Sequence, residues 1–278
     1  MTGGLSGKFA DLGPRMVTAL VLGPVALGLL WLGGLWTMLL VAGLAGVLAA
    51  EWRGVTARAG GALQPLDYCW VVTPVLAVVA LWALAPHTGV FALIAAIAAA
   101  SVVDYRDGRL DHAAWGSLGG LVIGLGCMAF LWLRETDPFG VAASLWIVLV
   151  VVATDVGGYF AGRLIGGPKL WPSVSPKKTW AGLGGAVALA VIAGGLFSWS
   201  TTGTFFEEVC TVSAVAAVLA QLGDMGESAV KRRFGVKDSG SLFPGHGGAL
   251  DRFDGLIAAT LVVAAVTLWR GQTVFIWS

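Results

Sequence analysis

Asp224, Glu227, Ser228 and Lys231 stand at i, i+3, i+4 and i+7, so a helix running through them presents all four on one face. Further along, Asp251 and Asp254 stand at i and i+3 where another apolar stretch begins, with Arg252 between them. The chain joining these two acidic helix ends contains KRRFGVKDSGSLFPGHGG, which is basic and rich in glycine. Carboxylates from two helix ends can hold Mg²⁺ through hard oxygen ligands, with phosphate oxygens completing the shell. Lys231, Arg232 and Lys237 supply charge that anchors phosphates, and the backbone N–H groups of Gly247 and Gly248 let an anion approach closely. The combination suits metal-assisted chemistry on a polyphosphate. A basic run after an apolar stretch also serves as a plain membrane anchor. The chemical reading therefore depends on both helix ends occurring together with the PGHGG turn.

A second polar segment contains Asp155 and then GGYFAGRLIGGPKLWPSVSPKKTWAG. Ser175-Pro176-Lys177-Lys178-Thr179-Trp180 immediately precedes an apolar stretch, so Thr179 is placed to N-cap the helix that follows. Lys177 and Lys178 beside that N-terminus make either a phosphate site or a boundary anchor. There is no P-loop, because Pro168 precedes Lys169 and no Gly-Lys-Ser/Thr ending occurs. The glycine pattern at Gly124-Leu125-Gly126 lies inside an apolar stretch with no strand before it, and reads as helix packing.

The elements that must position these groups are membrane spans. Of 278 residues 57% are hydrophobic and only 12% charged, with a mean hydropathy of +0.84, where a soluble domain carries about 25% charged residues. This excludes a soluble globular enzyme, a disordered tail and a nucleic-acid binder that works through a basic surface. Cys69, Cys127 and Cys210 are too scattered for a disulfide framework or a metal knuckle. Uncharged runs predict nine spans, several of them short: two between Arg15 and Glu51, turning at Gly33-Gly34, and two between Tyr68 and Val103, broken at Pro86-His87-Thr88-Gly89. Five more follow near 115–133, 139–154, 180–200, 206–223 and 252–269. The expected class is thus an all-α polytopic membrane protein. Residues 1–114 form an N-terminal membrane region of about four spans. Residues 115–278 form a catalytic region of about five, with cytoplasmic loops 155–179 and 224–255. With the N-terminus inside, only Arg134 and Arg270 of the 17 basic residues fall outside, a strong positive-inside bias that predicts N-in, C-out. Tryptophans cluster at predicted span ends, Trp52, Trp70 and Trp115 among them, as interfacial rings do; Trp146 does not fit. Segments 51–67 and 104–114 read as ordinary loops, with Arg106, Asp107, Arg109 and Asp111 a solvated turn.

The stretch from Ser228 to Asp254, S-A-V-K-R-x4-K-D-S-G-S-L-F-P-G-H-G-G-A-L-D-R-F-D, resembles the signature of the phosphatidate cytidylyltransferases, or CDP-diacylglycerol synthases. Gln221-Leu222-Gly223-Asp224 and Ser175 to Trp180 resemble other blocks of that family. The motifs occupy the chain from about Asp155 onward. Departures are Ala249, where a larger aliphatic is usual, Met225-Gly226 after Gly-Asp, and Ala181, where a carboxylate is frequent. The resemblance implies a dimeric integral-membrane enzyme of the inner membrane, its site facing the cytoplasm, that turns CTP and phosphatidic acid into CDP-diacylglycerol and pyrophosphate. It implies Mg²⁺, alone or with a second cation, held by Asp224 and Asp251, with Asp254 a further candidate. Lys231 and Lys237 are then catalytic. Ser175, Lys177, Lys178, Thr179, Ser228, Arg232, His246, Gly247, Gly248 and Arg252 are then substrate-binding. A CDP-alcohol phosphotransferase would need a compact run of aspartates with DG and AR elements, which is missing. A transporter would place ionisable groups or broken helices at mid-bilayer, whereas here the polar groups gather at one boundary.

Overall fold

The computed structural model describes residues 12–58, 63–240 and 247–276. Among them lie nine α-helices: α1 (Leu12–Leu32), α2 (Gly34–Arg58), α3 (Tyr68–Ala83), α4 (Pro86–Arg106), α5 (Leu110–Arg134), α6 (Gly140–Leu164), α7 (Trp180–Thr202), α8 (Glu207–Arg233) and α9 (Leu250–Arg270). A 3-10 turn, Pro65–Asp67, leads into α3, and a two-stranded antiparallel hairpin, β1 (Lys169–Trp171) and β2 (Ser175–Thr179), leads into α7. Eight of the helices, α2 to α9, are long and apolar enough to cross a membrane, while the apolar stretch Leu20–Leu32 of α1 is shorter. The class is therefore all-α and polytopic, as expected. Large apolar side chains such as Phe91, Ile94, Val152, Ile192 and Leu268 remain exposed on the helices, as lipid-facing positions do.

Local signals act where the sequence places them. Gly33 and Gly34 both take positive φ, at 71° and 52°, which lets α1 turn directly into α2. The Pro86-His87-Thr88-Gly89 break is the first turn of α4: proline opens the helix, and the Thr88 hydroxyl accepts from Ala85 N–H at 3.1 Å. Two boundaries differ from expectation. The sixth helix does not stop before Asp155 but runs to Leu164, and the eighth reaches Arg233. The residues 155–164 are thus helix and not loop, and the remainder of that segment contains the hairpin.

Two compact units emerge, Met1–Gly124 with Phe234–Arg252, and Leu125–Arg233 with Phe253–Ser278. In the first unit the ring of Trp52 lies against Gly119 and that of Trp70 against Gly116, sites where a Cβ would collide with the indole. Trp52 Nε1 donates to the Trp115 carbonyl at 2.8 Å and Trp70 Nε1 to Asp104 Oδ2 at 2.8 Å. Both rings are buried, which corrects their reading as interfacial. Asp104 also pairs with Arg109, and Arg53 Nη2 with Asp67 Oδ1 at 2.7 Å and Asp104 Oδ2 at 3.9 Å. Arg53 and Asp67 of segment 51–67 thus join Asp104 and Arg109 of segment 104–114 in one ionic cluster; of the four residues expected in a solvated turn, Arg106, Asp107 and Asp111 are exposed and Arg109 is not.

The second unit is centred on Trp146, fully buried among Ile147, Val150, Ala190, Val209, Ala217 and Val263. Its ring meets Phe275 edge-on at 5.9 Å, which accounts for a tryptophan placed inside a span and not at its boundary. Helices α6 and α7 approach through glycines: a Cβ on Gly157 or Gly185 would strike the backbone of the other. Such contact substitutes for the hydrophobic drive that lipid removes.

Candidate active site

In the second unit, helix α6 carries Asp155, Tyr159 and Arg163 at i, i+4 and i+8, one stripe on its face. The glycine contact with α7 brings that stripe beside the start of α7 and the strand leading into it. Helix α8 adds Gln221 and Asp224. Together they line a cavity of about 350 Å³ whose wall contains Asp155, Arg163, Lys177, Lys178, Thr179 and Asp224. The hairpin pairs Lys169 with Thr179 and Trp171 with Ser175, which fixes Lys177 and Lys178 in an extended strand. Thr179 N-caps α7 as expected, its hydroxyl accepting from Gly182 N–H at 3.0 Å.

Lys178 Nζ pairs with Asp224 Oδ2 at 2.6 Å and donates to the Gln221 carbonyl at 3.3 Å. The Asp224 side chain is nonetheless 37% exposed; Ser228 Oγ, one turn on, donates to its Oδ1 at 3.3 Å. Arg163 donates to the Tyr159 hydroxyl at 2.6 Å on an exposed surface, and Lys177 is exposed as well. Ser175, half-buried at the start of β2, is not part of the cavity wall. The cavity thus combines three cations with two carboxylates in a setting open to solvent.

The face expected on α8 is present but divided by burial. Glu227 and Lys231 form an ion pair at 2.5 Å with side chains only 6% and 9% exposed, whereas Arg232 and Arg233 are exposed. Gly223 lets α9 cross α8 closely, since a Cβ there would lie 2.8 Å from Ala258 and 3.0 Å from the Asp254 carbonyl. Asp254 therefore sits half-buried at this crossing, its Oδ1 accepting from Gly255 N–H at 2.5 Å.

The signature loop belongs to the first unit. Asp251 accepts from Ser239 N–H at 3.0 Å and from Gly248 N–H at 2.9 Å, both on Oδ2. Gly247, at φ 85°, supplies the left-handed turn before it. Lys237 and Arg252 are exposed, and His246 lies outside the described residues. The anion that approaches the glycines is one the sequence reading missed. Glu51, in the second half of α2, accepts from Ala249 N–H at 3.0 Å, Leu250 N–H at 2.8 Å and Ser239 Oγ at 3.1 Å. Asp155, Tyr159, Arg163 and Gln221 were also missed as site residues. A carboxylate inside a long apolar helix is the signal that points to Asp155.

Among the described residues no group of three or more His, Cys, Asp or Glu side chains forms a metal cage. The donors are paired or single carboxylates beside cations. That set fits Mg²⁺, which binds through one or two carboxylates and completes its shell with water and substrate phosphate. It fits a thiolate- or imidazole-seeking metal poorly.

A sequence profile of the cytidylyltransferase family matches residues 13–269. The phosphatidate cytidylyltransferase of Brucella suis is 36% identical over 256 residues, covering 91% of this chain and 92% of that protein. Those of Helicobacter pylori and Bacillus subtilis are each 36% identical, over 189 residues (66% of this chain, 69% of the relative) and 148 residues (53% and 55%). The profile spans helices α1 to α9 and takes in both the cavity and the signature loop, so this chain belongs to the cytidylyltransferase family and is a nucleotidyltransferase.

Proposed function

We propose that the enzyme joins CTP to phosphatidic acid, giving CDP-diacylglycerol and pyrophosphate, in a Mg²⁺-dependent reaction at the cytoplasmic face of the inner membrane. The observation that carries this reading is the open cavity lined by Arg163, Lys177, Lys178, Asp155 and Asp224, built on helices of membrane-spanning length. A lipid substrate keeps its phosphate at the bilayer boundary, and a nucleotide arrives from water. The names of the relatives support the same pair of substrates.

In the proposed step an oxygen of the lipid phosphate attacks the α-phosphorus of CTP. The new P–O bond forms as the bond to the β-bridging oxygen breaks, and pyrophosphate leaves with the electron pair. The attacking phosphate is already ionised, so the protein need supply neither nucleophile nor general base. Its contribution is position and charge. Arg163, Lys177 and Lys178 would hold phosphate oxygens, with Lys237 and Arg232 as further cations from the signature. Asp224 and Asp155 would hold Mg²⁺ at the cavity, and Asp251 is the ligand proposed from the signature helix. When bound, Mg²⁺ neutralises charge on the triphosphate and on the departing pyrophosphate. The Lys178–Asp224 pair keeps a cation for phosphate and a carboxylate for metal side by side. The basic asymmetry of the chain supports an N-in, C-out orientation, and we propose a homodimer as the working unit.

Purified protein in lipid, given labelled CTP, phosphatidic acid and Mg²⁺, should release labelled CDP-diacylglycerol. Omission of the lipid or chelation of the metal should abolish the product. A folded preparation that forms none under the full conditions overturns the reading.

A further inference from the structure

The signature loop is closed by a residue that lies far from it in the chain. Glu51 extends from α2 and accepts hydrogen bonds from both stems of the loop: Ser239 Oγ on one side, Ala249 and Leu250 N–H on the other. The same stems hold Asp251, through Ser239 N–H and Gly248 N–H. Two carboxylates thus share one small frame of donors, and Ser239 serves both, by its hydroxyl and its amide.

The glycines of the motif take their meaning from this contact. A Cβ on Gly240 would lie 2.5 Å from Glu51 Oε1, and one on Gly248 would lie 2.6 Å from Glu51 Oε2 and 2.7 Å from Gly240 N. The Glu51 carboxylate therefore fits between two glycines that leave space for it. Each of its oxygens has a donor, and the pattern needs acceptors at both. An amide would set an N–H₂ group against a backbone N–H, leaving a buried donor unpaired. The N-terminus of α9 also favours a negative charge at this point.

We infer that Glu51 is a positioning residue: its charge closes both stems of the signature loop and thereby sets the orientation of Asp251 for the transfer reaction. The inference rests on the proposed cytidylyl transfer for its kinetic arm; its structural arm is independent of any substrate.

The test compares Glu51→Gln, Glu51→Asp and the parent, all full-length in lipid nanodiscs. Amide hydrogen exchange across residues 239–251 should speed at least tenfold in Glu51→Gln, while exchange in α6 to α8 stays unchanged. In the kinetic arm, kcat should fall on the order of tenfold to a hundredfold, the range expected from one unpaired buried donor. KM for CTP should change by less than about threefold if substrate contacts persist. Glu51→Asp keeps the charge on a shorter stem and should recover part of the lost kcat. Unchanged exchange in Glu51→Gln overturns the inference whatever the activity. So does a kcat loss that only tracks the loss of folded protein and is not recovered by aspartate. Failure of the parent itself to make CDP-diacylglycerol, with the exchange result intact, overturns the proposed substrates and leaves the structural role of Glu51 standing.

Discussion

Two sets of charged residues in this chain use the same side-chain types for opposite ends. In the first unit Arg53, Asp67, Asp104 and Arg109 form a closed cluster in which the side chains of Arg53, Asp67 and Asp104 are each 1% exposed. Opposite charges balance there, and the indole of Trp70 adds a donor to Asp104. In the second unit Arg163, Lys177 and Lys178 outnumber Asp155 and Asp224, and the group opens onto a cavity. The closed set pairs its charges with one another and so ties α2, α4 and the turn before α3 together. The open set carries more positive than negative charge along the cavity wall, which is what an anionic ligand requires. Burial and charge balance, and not residue type, separate a structural ion cluster from a binding site. Salt should distinguish them as well, because it screens exposed charges far more than buried ones.

The largest effect is expected from opening the closed set. Arg53→Met keeps most of the apolar stem but leaves Asp67 and Asp104 to share Arg109. Removing one partner of a buried pair costs about 3–5 kcal/mol. Thermal unfolding in lipid should therefore shift steeply downward, while the folded fraction keeps its KM for CTP. A variant as stable as the parent would show the cluster to be dispensable. The opposite pattern is expected in the open set. Asp224→Asn keeps size and removes the anionic charge, so the unfolding midpoint should hardly move, because the carboxylate is over one-third exposed. Turnover should fall by about a hundredfold or more if the charge holds a catalytic metal, with partial recovery at raised Mg²⁺ or with Mn²⁺. Near-parental turnover in a folded Asp224→Asn would remove this carboxylate from the metal site and leave it as the partner of Lys178.

Signals that depend on near neighbours were readable from residue order; those that depend on distant ones were not. Eight long helices follow from uncharged runs, and the Thr179 cap from a threonine just before an apolar stretch. The i, i+4 spacing of Glu227 and Lys231 is readable too, but not that the pair is buried. Asp155 and Arg163 read as loop residues and shorten the expected sixth span, whereas the helix continues and both line the cavity. Trp52 and Trp70 read as interfacial rings in the sequence, because only their contact with the glycines of α5 reveals room for them inside. Glu51 and Ser239 meet across 188 residues of sequence. No local pattern in a single sequence marks such a pair, so segment 51–67 passed for an ordinary loop.

The smallest expected effect is also the one that most finely divides the two kinds of site. Thr179 lines the cavity and is a proposed substrate contact, yet it is 2% exposed and its hydroxyl already accepts from Gly182 N–H. Its geometry is that of an N-cap: extended backbone at φ −123° and ψ 159°, followed directly by helix. A cap lost to alanine costs roughly 0.5–2 kcal/mol. Thr179→Ala should thus lower the unfolding midpoint by a few degrees, about as one such interaction does in a chain of this size. Thr179→Ser keeps the hydroxyl and should restore most of the loss. Turnover should change by less than about threefold in both variants if the hydroxyl faces the helix and not the substrate. A tenfold or larger fall in kcat/KM for Thr179→Ala, with the unfolding midpoint unmoved and serine restoring activity, would reverse the assignment. The hydroxyl would then belong to the open set with Lys177 and Lys178, and the boundary between scaffold and site would lie one residue further along the chain.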